Sequence, residues 1–334
     1  MKFVKRISAA ILFLNLPVSC AGSPDSAYSF ESRQMAVDFR IVLYAASFEQ
    51  AESAANKAFQ RISQLNDIMS DYKTDSEIWK LSENSGKNEN TLVSTDLWNV
   101  MEAAREINSL SNAAFDVTAG PLTLLWRQSR WTKKIPRQRS LERAMLRVGM
   151  DKVIFDEQNR RLLLTTGGMR LDLGGIAKGY AADEALKSLC HDGIKHALVD
   201  GSGDMVMTTH PQGQWPLYIS DTKDEKGDLI HLKRGAIATS GDTLQYVEIN
   251  GKRYSHIIDP RSGFALENRC RVSVIANNCR QADSLASAIS VMGPQEGLRM
   301  IEKTSGAEAL IVQVRDGCKF YYKSSAFPEF EKLK

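Results

Sequence analysis

Strand-like and helix-like segments alternate along almost the entire chain, and no linker, repeat or low-complexity stretch separates them after residue 30. Residues 35–44 (MAVDFRIVLY) are rich in the β-branched and aromatic side chains that strands favour. Residues 48–68 then place alanine, leucine, isoleucine and phenylalanine at helical spacing. Because no break offers a domain boundary, this interleaving predicts one compact α+β unit of mixed or antiparallel sheets with interleaved helices.

The two halves of the chain differ in the segments that they contain. The first half predicts an amphipathic helix at 94–109, a basic exposed loop at 131–140 and a hairpin of 153–155 with 162–165. The second half is richer in strands. Strand patterns occur at 197–200, 205–208, 216–220, 236–240, 246–249, 254–258 and 271–276, before helices at 282–291 and 294–304 and a hairpin of 308–314 with 319–323.

The first residues predict export. Lys2, Lys5 and Arg6 precede an apolar run at 7–16 that is too short to span a bilayer as a mature helix, and small residues follow it. Two cleavage sites compete. The sequence PVSC resembles a bacterial lipobox that ends at Cys20, although its usual leucine is displaced by one position; ordinary signal peptidase would cut after Ala21 instead.

We favour the lipoprotein interpretation, which divides the chain into three parts. Residues 1–20 are then the export signal with Cys20 as the lipidated residue, 21–30 a polar tether and 31–334 the catalytic domain. The expected location is the periplasmic side of the bacterial inner membrane, lipid-anchored if Cys20 is processed and soluble otherwise.

The charge and the cysteine positions argue against a nucleic-acid partner, a disulfide between Cys270 and Cys279, and a zinc site. The net charge is only +3 and no RNA-binding signature occurs, so nucleic acid is not expected as a partner. Cys270 and Cys279 flank a predicted strand, and nine extended residues span roughly 30 Å, which is too far for a disulfide. The chain has no CxxC or Cys/His pattern, so a zinc site is not expected either.

The segment 171–186 (LDLGGIAKGYAADEAL) carries a carboxylate, a glycine pair and a lysine at a predicted strand-to-helix junction. Glycines there allow a ligand to approach the backbone, and the N–H groups at the start of a helix bind phosphate. Taken alone, such a pair is more often just a tight turn.

Other segments add chemistry to this junction. The segment 282–293 (ADSLASAISVMG) places Asp283 and Ser287 four residues apart, on one face of a helix, as oxygen donors that suit a hard cation such as Mg²⁺. The segment 254–263 (YSHIIDPRSG) supplies His256, a candidate general base. Each has a simpler interpretation: Asp283 complements a helix dipole, Ser287 packs between alanines, and His256 is structural.

Taken together, the motifs resemble the ApbE-type flavin transferases, which are FAD:protein FMN transferases. The resemblance runs from about residue 35 to about residue 314, through SDYKTDSEI, AFDVTAGPL, LDLGGIAKGYAAD, DGSGDM, ATSGD, SHIIDPRSG and ADSLASAISVMG. It implies a fold related to the T-fold, with FAD as substrate and Mg²⁺ as cofactor. It also implies that FMN passes to a threonine or serine hydroxyl of an acceptor flavoprotein through a phosphoester bond, and that AMP leaves.

The resemblance also implies the site residues. The cation would be held by Asp283, the Ser287 hydroxyl and a backbone carbonyl near Gly175. The residues implied to contact FAD are Met35, Tyr72, Ala114, Phe115, Asp116, Asp172, Lys178 and Ile257. Among these, Tyr72 offers a stacking face and Lys178 a charge for a phosphate.

Two features leave alternatives open. Relatives usually have Gly-Thr where this chain has Ala36-Val37, which affects one predicted FAD contact. Some members of the family hydrolyse FAD to FMN and AMP, so a metal-dependent FAD pyrophosphatase is the second hypothesis. A non-catalytic periplasmic FAD-binding lipoprotein is the third, although a pure binder does not need both Asp283 and Ser287.

Overall fold

The computed structural model describes residues 25–219, 228–241, 246–267, 269–315 and 317–331. The strands in this part of the chain are β1 (Ser26–Gln34), β2 (Val37–Ala45), β3 (Thr91–Leu92), β4 (Val153–Asp156), β5 (Arg161–Leu164), β6 (Ala197–Gly201), β7 (Met205–Met207), β8 (Trp215–Ile219), β9 (Asp228–Leu232), β10 (Gly235–Gly241), β11 (Tyr246–Ile249), β12 (Lys252–Ser255), β13 (Arg269–Ala276), β14 (Glu308–Arg315) and β15 (Cys318–Lys323). The helices are α1 (Phe48–Met69), α2 (Glu77–Glu83), α3 (Thr95–Leu110), α4 (Gly120–Thr132), α5 (Gln138–Met145), α6 (Ala177–His191) and α7 (Cys279–Ile301).

One antiparallel sheet of eight strands organises the molecule. Its strand order is β1-β2-β6-β7-β10-β13-β14-β15, and β3-β5-β4, β8-β9 and β11-β12 form smaller sheets. The helix α6 packs against both α1 and α7, and all three helices contact strands of the large sheet. The predicted α+β class is therefore confirmed.

Small side chains let the central helices approach each other. Ser47 caps α1 by accepting from the Gln50 N–H at 3.2 Å, and the buried face of this helix carries four alanines. Where α6 meets the start of α7, a Cβ on Gly179 would lie 2.4 Å from the Cys279 carbonyl oxygen. Glycine is thus required at this crossing, which holds α6 against the helix that bears Asp283.

Several predicted boundaries are corrected by the structure. Strand β1 begins at Ser26 and pairs with β2 along its whole length, so residues 26–30 belong to the folded domain and not to the tether. The expected basic loop at 131–140 contains the end of α4 and the start of α5. The two predicted late helices are confirmed, because the backbone of α7 is not helical at Gly293, where φ is 77°, and a helix lies on each side of this kink.

Two strand predictions near the site are also corrected. Strand β12 ends at Ser255 and not at residue 258, and residues 171–173 form no strand. The predicted export signal and Cys20 lie outside the described residues. Within the described part of the chain no helix is long and apolar enough to cross a membrane. Cys270 and Cys279 are both buried.

The β1–β2 turn shows what replaces the usual glycine at position 36. Gln34 pairs with Val37, so Met35 and Ala36 form a two-residue loop, and both have positive φ, 48° and 64°. Two-residue hairpin loops favour glycine in this conformation because a Cβ is disfavoured there. The turn is retained at a cost in conformational energy, and both residues still line the large cavity described below.

We expect Ala36→Gly to stabilise the protein by about 1 kcal/mol, because the left-handed conformation costs an L-residue about 1–2 kcal/mol and glycine's extra unfolded-state entropy offsets part of the gain. Urea unfolding followed by circular dichroism measures the change. Ala27→Gly, in the extended strand β1, is the control and should destabilise. Equal destabilisation by both substitutions would contradict the prediction.

Candidate active site

A cavity of about 1070 Å³ lies where the glycine turn, α4, α7 and the strand ends of the large sheet converge. This volume is at the upper end of the range for small-molecule pockets, about 300–1,000 Å³. All the site residues predicted within the described chain line it, namely Met35, Tyr72, Ala114, Phe115, Asp116, Asp172, Gly175, Lys178, His256, Ile257, Asp283 and Ser287. Their sequence positions run from 35 to 287, so the fold gathers them from distant segments.

The glycine turn before α6 is held by Asp172. The Asp172 N–H donates to the Val117 carbonyl at 2.8 Å, which fixes the turn against the segment before α4. The Asp172 carboxylate accepts from the Gly174 N–H at 2.9 Å and pairs with Arg127 through its other oxygen at 3.3 Å. The partly buried Asp172 carboxylate therefore has partners within the protein, and it shapes the turn as well as lining the cavity.

The second glycine of the turn lies against α7. A Cβ on Gly175 would be 2.8 Å from the Ser287 hydroxyl oxygen and 3.2 Å from the Phe115 ring. The turn and the late helix are thus in direct contact, and the Ser287 hydroxyl faces the backbone of the glycine turn. A cation bound by both segments requires this arrangement.

We expect Gly175→Ala to separate the turn from α7, because a contact of 2.8 Å is shorter than a real Cβ contact allows. Overpacking of this kind costs about 1–3 kcal/mol of stability, and the displaced turn should weaken Mg²⁺ binding. Thermal melting with and without Mg²⁺ measures both effects. Gly167→Ala is the control, since a Cβ there meets nothing within 4 Å; equal behaviour of the two variants would contradict the prediction.

Asp283 is a buried carboxylate with an excess of negative charge around it. It is 5% exposed and accepts from the Gly179 N–H at 3.1 Å. Burial, followed by the charge of Asp204, raises its pKa to about 7, although Lys178 acts in the opposite direction. Two carboxylates share one ammonium group here, so an additional cation would stabilise the ionised form of Asp283.

Lys178 is engaged within the protein. Its ammonium donates to the buried carboxylate of Asp204, and Asp204 and Asp283 raise the pKa of Lys178 despite its desolvation. The side chain still lines the cavity. The predicted phosphate contact remains a prediction, and the structure adds Asp204 as a partner that the sequence did not identify.

The donor set fits a hard cation held in part by its ligand. The described residues contain no cluster of three or more His, Cys, Asp or Glu side chains that would hold a metal alone. Asp283 and Ser287 supply two oxygens next to the glycine turn, whose backbone carbonyls are further oxygen donors. Mg²⁺ is commonly bound by one or two carboxylates together with substrate phosphates, so these residues suit it.

The segment 114–119 supports the cavity wall. The Asp116 carboxylate accepts from the N–H of Thr118 at 2.8 Å and from its hydroxyl at 2.6 Å, and burial raises the Asp116 pKa. The Phe115 N–H donates to the Ser111 hydroxyl at 3.1 Å. These bonds hold Ala114 and Phe115 at the surface of the cavity, where their predicted FAD contacts stay predictions.

His256 lines the cavity and lies directly after β12. The Ser255 hydroxyl accepts from the Ile257 N–H at 3.0 Å, and the Leu266 N–H donates to the Ile257 carbonyl at 2.9 Å. These bonds flank His256 with an ordered backbone, and its half-buried ring lines the cavity. The arrangement is compatible with a base that accepts a proton from a hydroxyl group entering the cavity.

Arg127 and Asp71 line the cavity but were not among the predicted site residues. The Arg127 guanidinium pairs with both Asp71 and Asp172, and it lies 4.4 Å from the centre of the Tyr72 ring. Burial and the charge of Asp172 raise the pKa of Asp71, while Arg127 lowers it. Asp71 was detectable as the neighbour of Tyr72 in SDYKTDSEI, whereas Arg127 has no sequence signal.

Comparison with known proteins gives consistent results. A family model described as the ApbE family matches residues 35–311. A protein of Vibrio cholerae named FAD:protein FMN transferase is 32% identical over 279 residues, which cover 81% of this chain and 83% of that protein. A Klebsiella pneumoniae protein of the same name is 27% identical over 295 residues, covering 87% of this chain and 90% of that protein.

Solved structures agree with the sequence comparison. The ApbE protein of Thermotoga maritima superposes with a TM-score of 0.81 at 28% identity, covering 90% of this chain and 97% of that structure. The flavin transferase ApbE of Vibrio cholerae superposes with a TM-score of 0.80 at 28% identity, covering 91% and 99% respectively. With its cavity, its motifs and its fold in agreement, this chain belongs to the ApbE family.

Proposed function

We propose that this flavin transferase moves FMN from FAD to a threonine or serine hydroxyl of an acceptor protein, with Mg²⁺ as cofactor and AMP as the leaving group. The observation that carries the proposal is the contact between the glycine turn and α7 inside a cavity of dinucleotide size. The contact brings a glycine turn of the kind that binds phosphate next to two oxygen donors for a cation. A diphosphate substrate requires both.

Different residues would bind the cation, make room for the diphosphate and accept the proton. Asp283, Ser287 and a backbone carbonyl near Gly175 would hold Mg²⁺, which when bound neutralises the diphosphate and orients it for in-line attack. The glycine turn gives the diphosphate room next to the backbone. His256 takes the proton of the acceptor hydroxyl while the hydroxyl oxygen bonds to the FMN phosphorus. The bond between this phosphorus and the bridging oxygen breaks, and AMP leaves with that oxygen.

The test is incubation of the protein with FAD and Mg²⁺, with and without an acceptor flavoprotein, followed by chromatography of AMP and by mass spectrometry of the acceptor. AMP release that depends on acceptor, with FMN added to the acceptor, supports transfer. AMP release with water alone would instead establish a pyrophosphatase. Tight FAD binding without AMP in either mixture would indicate storage and contradict the proposal.

We also propose that the protein is exported and anchored by lipid at Cys20, on the basis of its basic, apolar and small-residue N-terminal sequence. Cys20→Ser should then move the protein from the membrane fraction to the soluble fraction. An unchanged distribution would favour cleavage after Ala21.

A further inference from the structure

Arg127 forms the centre of a compact charged cluster at one end of the cavity. It projects from α4, donates to Asp71 through one nitrogen and pairs with Asp172 through the other at 3.3 Å. Its guanidinium carbon lies 4.4 Å from the centre of the Tyr72 ring, within the range of a cation–π contact. The Arg127 side chain is only 22% exposed, so three neighbours fix its position.

Tyr72 is unusual among the cavity residues because its ring is exposed while one face has a rigid support. The residue is 71% exposed, and the side that Arg127 covers is backed by a guanidinium held between two carboxylates. This leaves the opposite face open at the cavity. An aromatic ring supported on one side and open on the other is suited to stack a flat ligand ring.

The charges around Tyr72 indicate which part of a dinucleotide it contacts. Arg127 is held by the carboxylates of Asp71 and Asp172, so its own charge is not available for a phosphate, although Lys73 and Arg130 also line the cavity. The function proposed above assigns the diphosphate to the glycine turn. The two carboxylates instead suit a ring edge with N–H donors, such as the amino group of adenine or the imide of isoalloxazine.

We propose that Arg127 is a positioning residue that holds Tyr72 as a stacking platform for one of the two rings of FAD, with Asp71 and Asp172 fixing the guanidinium. The identity of the ligand rests on the function proposed above. The role of Arg127 itself depends on its planar contact with Tyr72 and not on its charge alone.

The experiment measures dissociation constants of the full-length protein for FAD, FMN and ADP, by titration calorimetry with Mg²⁺ present. Arg127→Gln should weaken FAD binding at least about tenfold and weaken one of FMN or ADP similarly, which identifies the ring on Tyr72. Arg127→Lys keeps the charge but loses the planar contact, so it should not restore affinity. KM for FAD should rise in parallel with the dissociation constant, and by a larger factor than kcat falls.

Two further variants separate this role from a structural one. Arg127→Gln leaves Asp71 and Asp172 without their cation, so the double variant Asp71→Asn with Arg127→Gln relieves that repulsion and should melt close to the wild type while still binding FAD weakly. Arg105→Gln is the matched control. Arg105 also covers an aromatic ring, that of Phe155 at 4.3 Å, and pairs with Glu157, but lies outside the cavity.

Two results would overturn the proposal: FAD affinity within twofold of the wild type in both Arg127→Gln and the double variant, or full affinity in Arg127→Lys. If the proposed transferase function is wrong, the measurements differ from these two results. Wild-type protein that binds FAD tightly but releases no AMP would reject transfer and leave the Arg127 comparison intact.

Discussion

Asp283→Asn is expected to lower the rate of AMP release from FAD at least about a hundredfold at fixed Mg²⁺ and to weaken Mg²⁺ binding correspondingly, because a neutral amide replaces the one charged donor of the predicted metal site. The substitution keeps the size of the side chain and an oxygen that accepts from the Gly179 N–H. The position of α7 against α6 should therefore be preserved. Calorimetric titration with Mg²⁺, alongside the rate as a function of Mg²⁺ concentration, measures the effect.

Glu296→Gln is the control for this variant. Glu296 lies on the same helix, is exposed and does not line the cavity. The substitution Glu296→Gln removes one negative charge from α7, as Asp283→Asn does. A general effect of helix charge would therefore appear in both variants. Identical Mg²⁺ dependence of Asp283→Asn and the wild type would refute the assignment, and would favour a carboxylate that merely caps the crossing of α6 and α7.

Local periodicity accounts for the part of the site that was predictable. The spacing of four between Asp283 and Ser287 places both on one helical face wherever the helix lies, so the sequence alone predicted that they lie near each other. The motif order then indicated that they meet the glycine turn. In the structure Ser287 lies at the glycine turn, since a Cβ on Gly175 would touch its hydroxyl.

Contacts between distant segments could not be predicted. Arg127 pairs with Asp71 and Asp172, which are 56 and 45 residues away, and Lys178 in α6 pairs with Asp204 in the β6–β7 turn. No periodicity relates positions so far apart in the chain. A sequence also does not show whether an arginine or lysine will be exposed or buried. Only the packing of α4 and α6 against their neighbours decides which charges meet.

The errors in secondary structure have similar causes. In α5 only Leu141 and Ala144 are buried, so its apolar pattern is too sparse to indicate a helix within a basic segment. Before the glycine turn, Leu171 and Leu173 are both buried and alternate as in a strand. The backbone there makes an isolated bridge through Arg170 to Ala119, and no ladder extends it.

The proton acceptor is the role that the fold supports least directly, which makes its test decisive for the mechanism. His256→Ala is expected to lower kcat for FMN transfer by about 10²–10⁴-fold, because the acceptor hydroxyl loses the base that takes its proton. Affinity for FAD should change little, since the imidazole acts on the incoming hydroxyl. Single-turnover transfer at saturating FAD measures the rate, and equilibrium titration measures the affinity.

A structural histidine would give a different pattern, which follows from the ordered backbone on both sides of His256. Its removal would lower the melting temperature and FAD affinity together, and imidazole added to the solution would restore nothing. A catalytic base predicts an unchanged melting temperature and partial rescue of the alanine variant by imidazole. His191→Ala, at the exposed end of α6, controls for the loss of a histidine elsewhere. Full transfer activity in His256→Ala would remove the histidine from the mechanism and leave deprotonation of the hydroxyl to another group in the cavity.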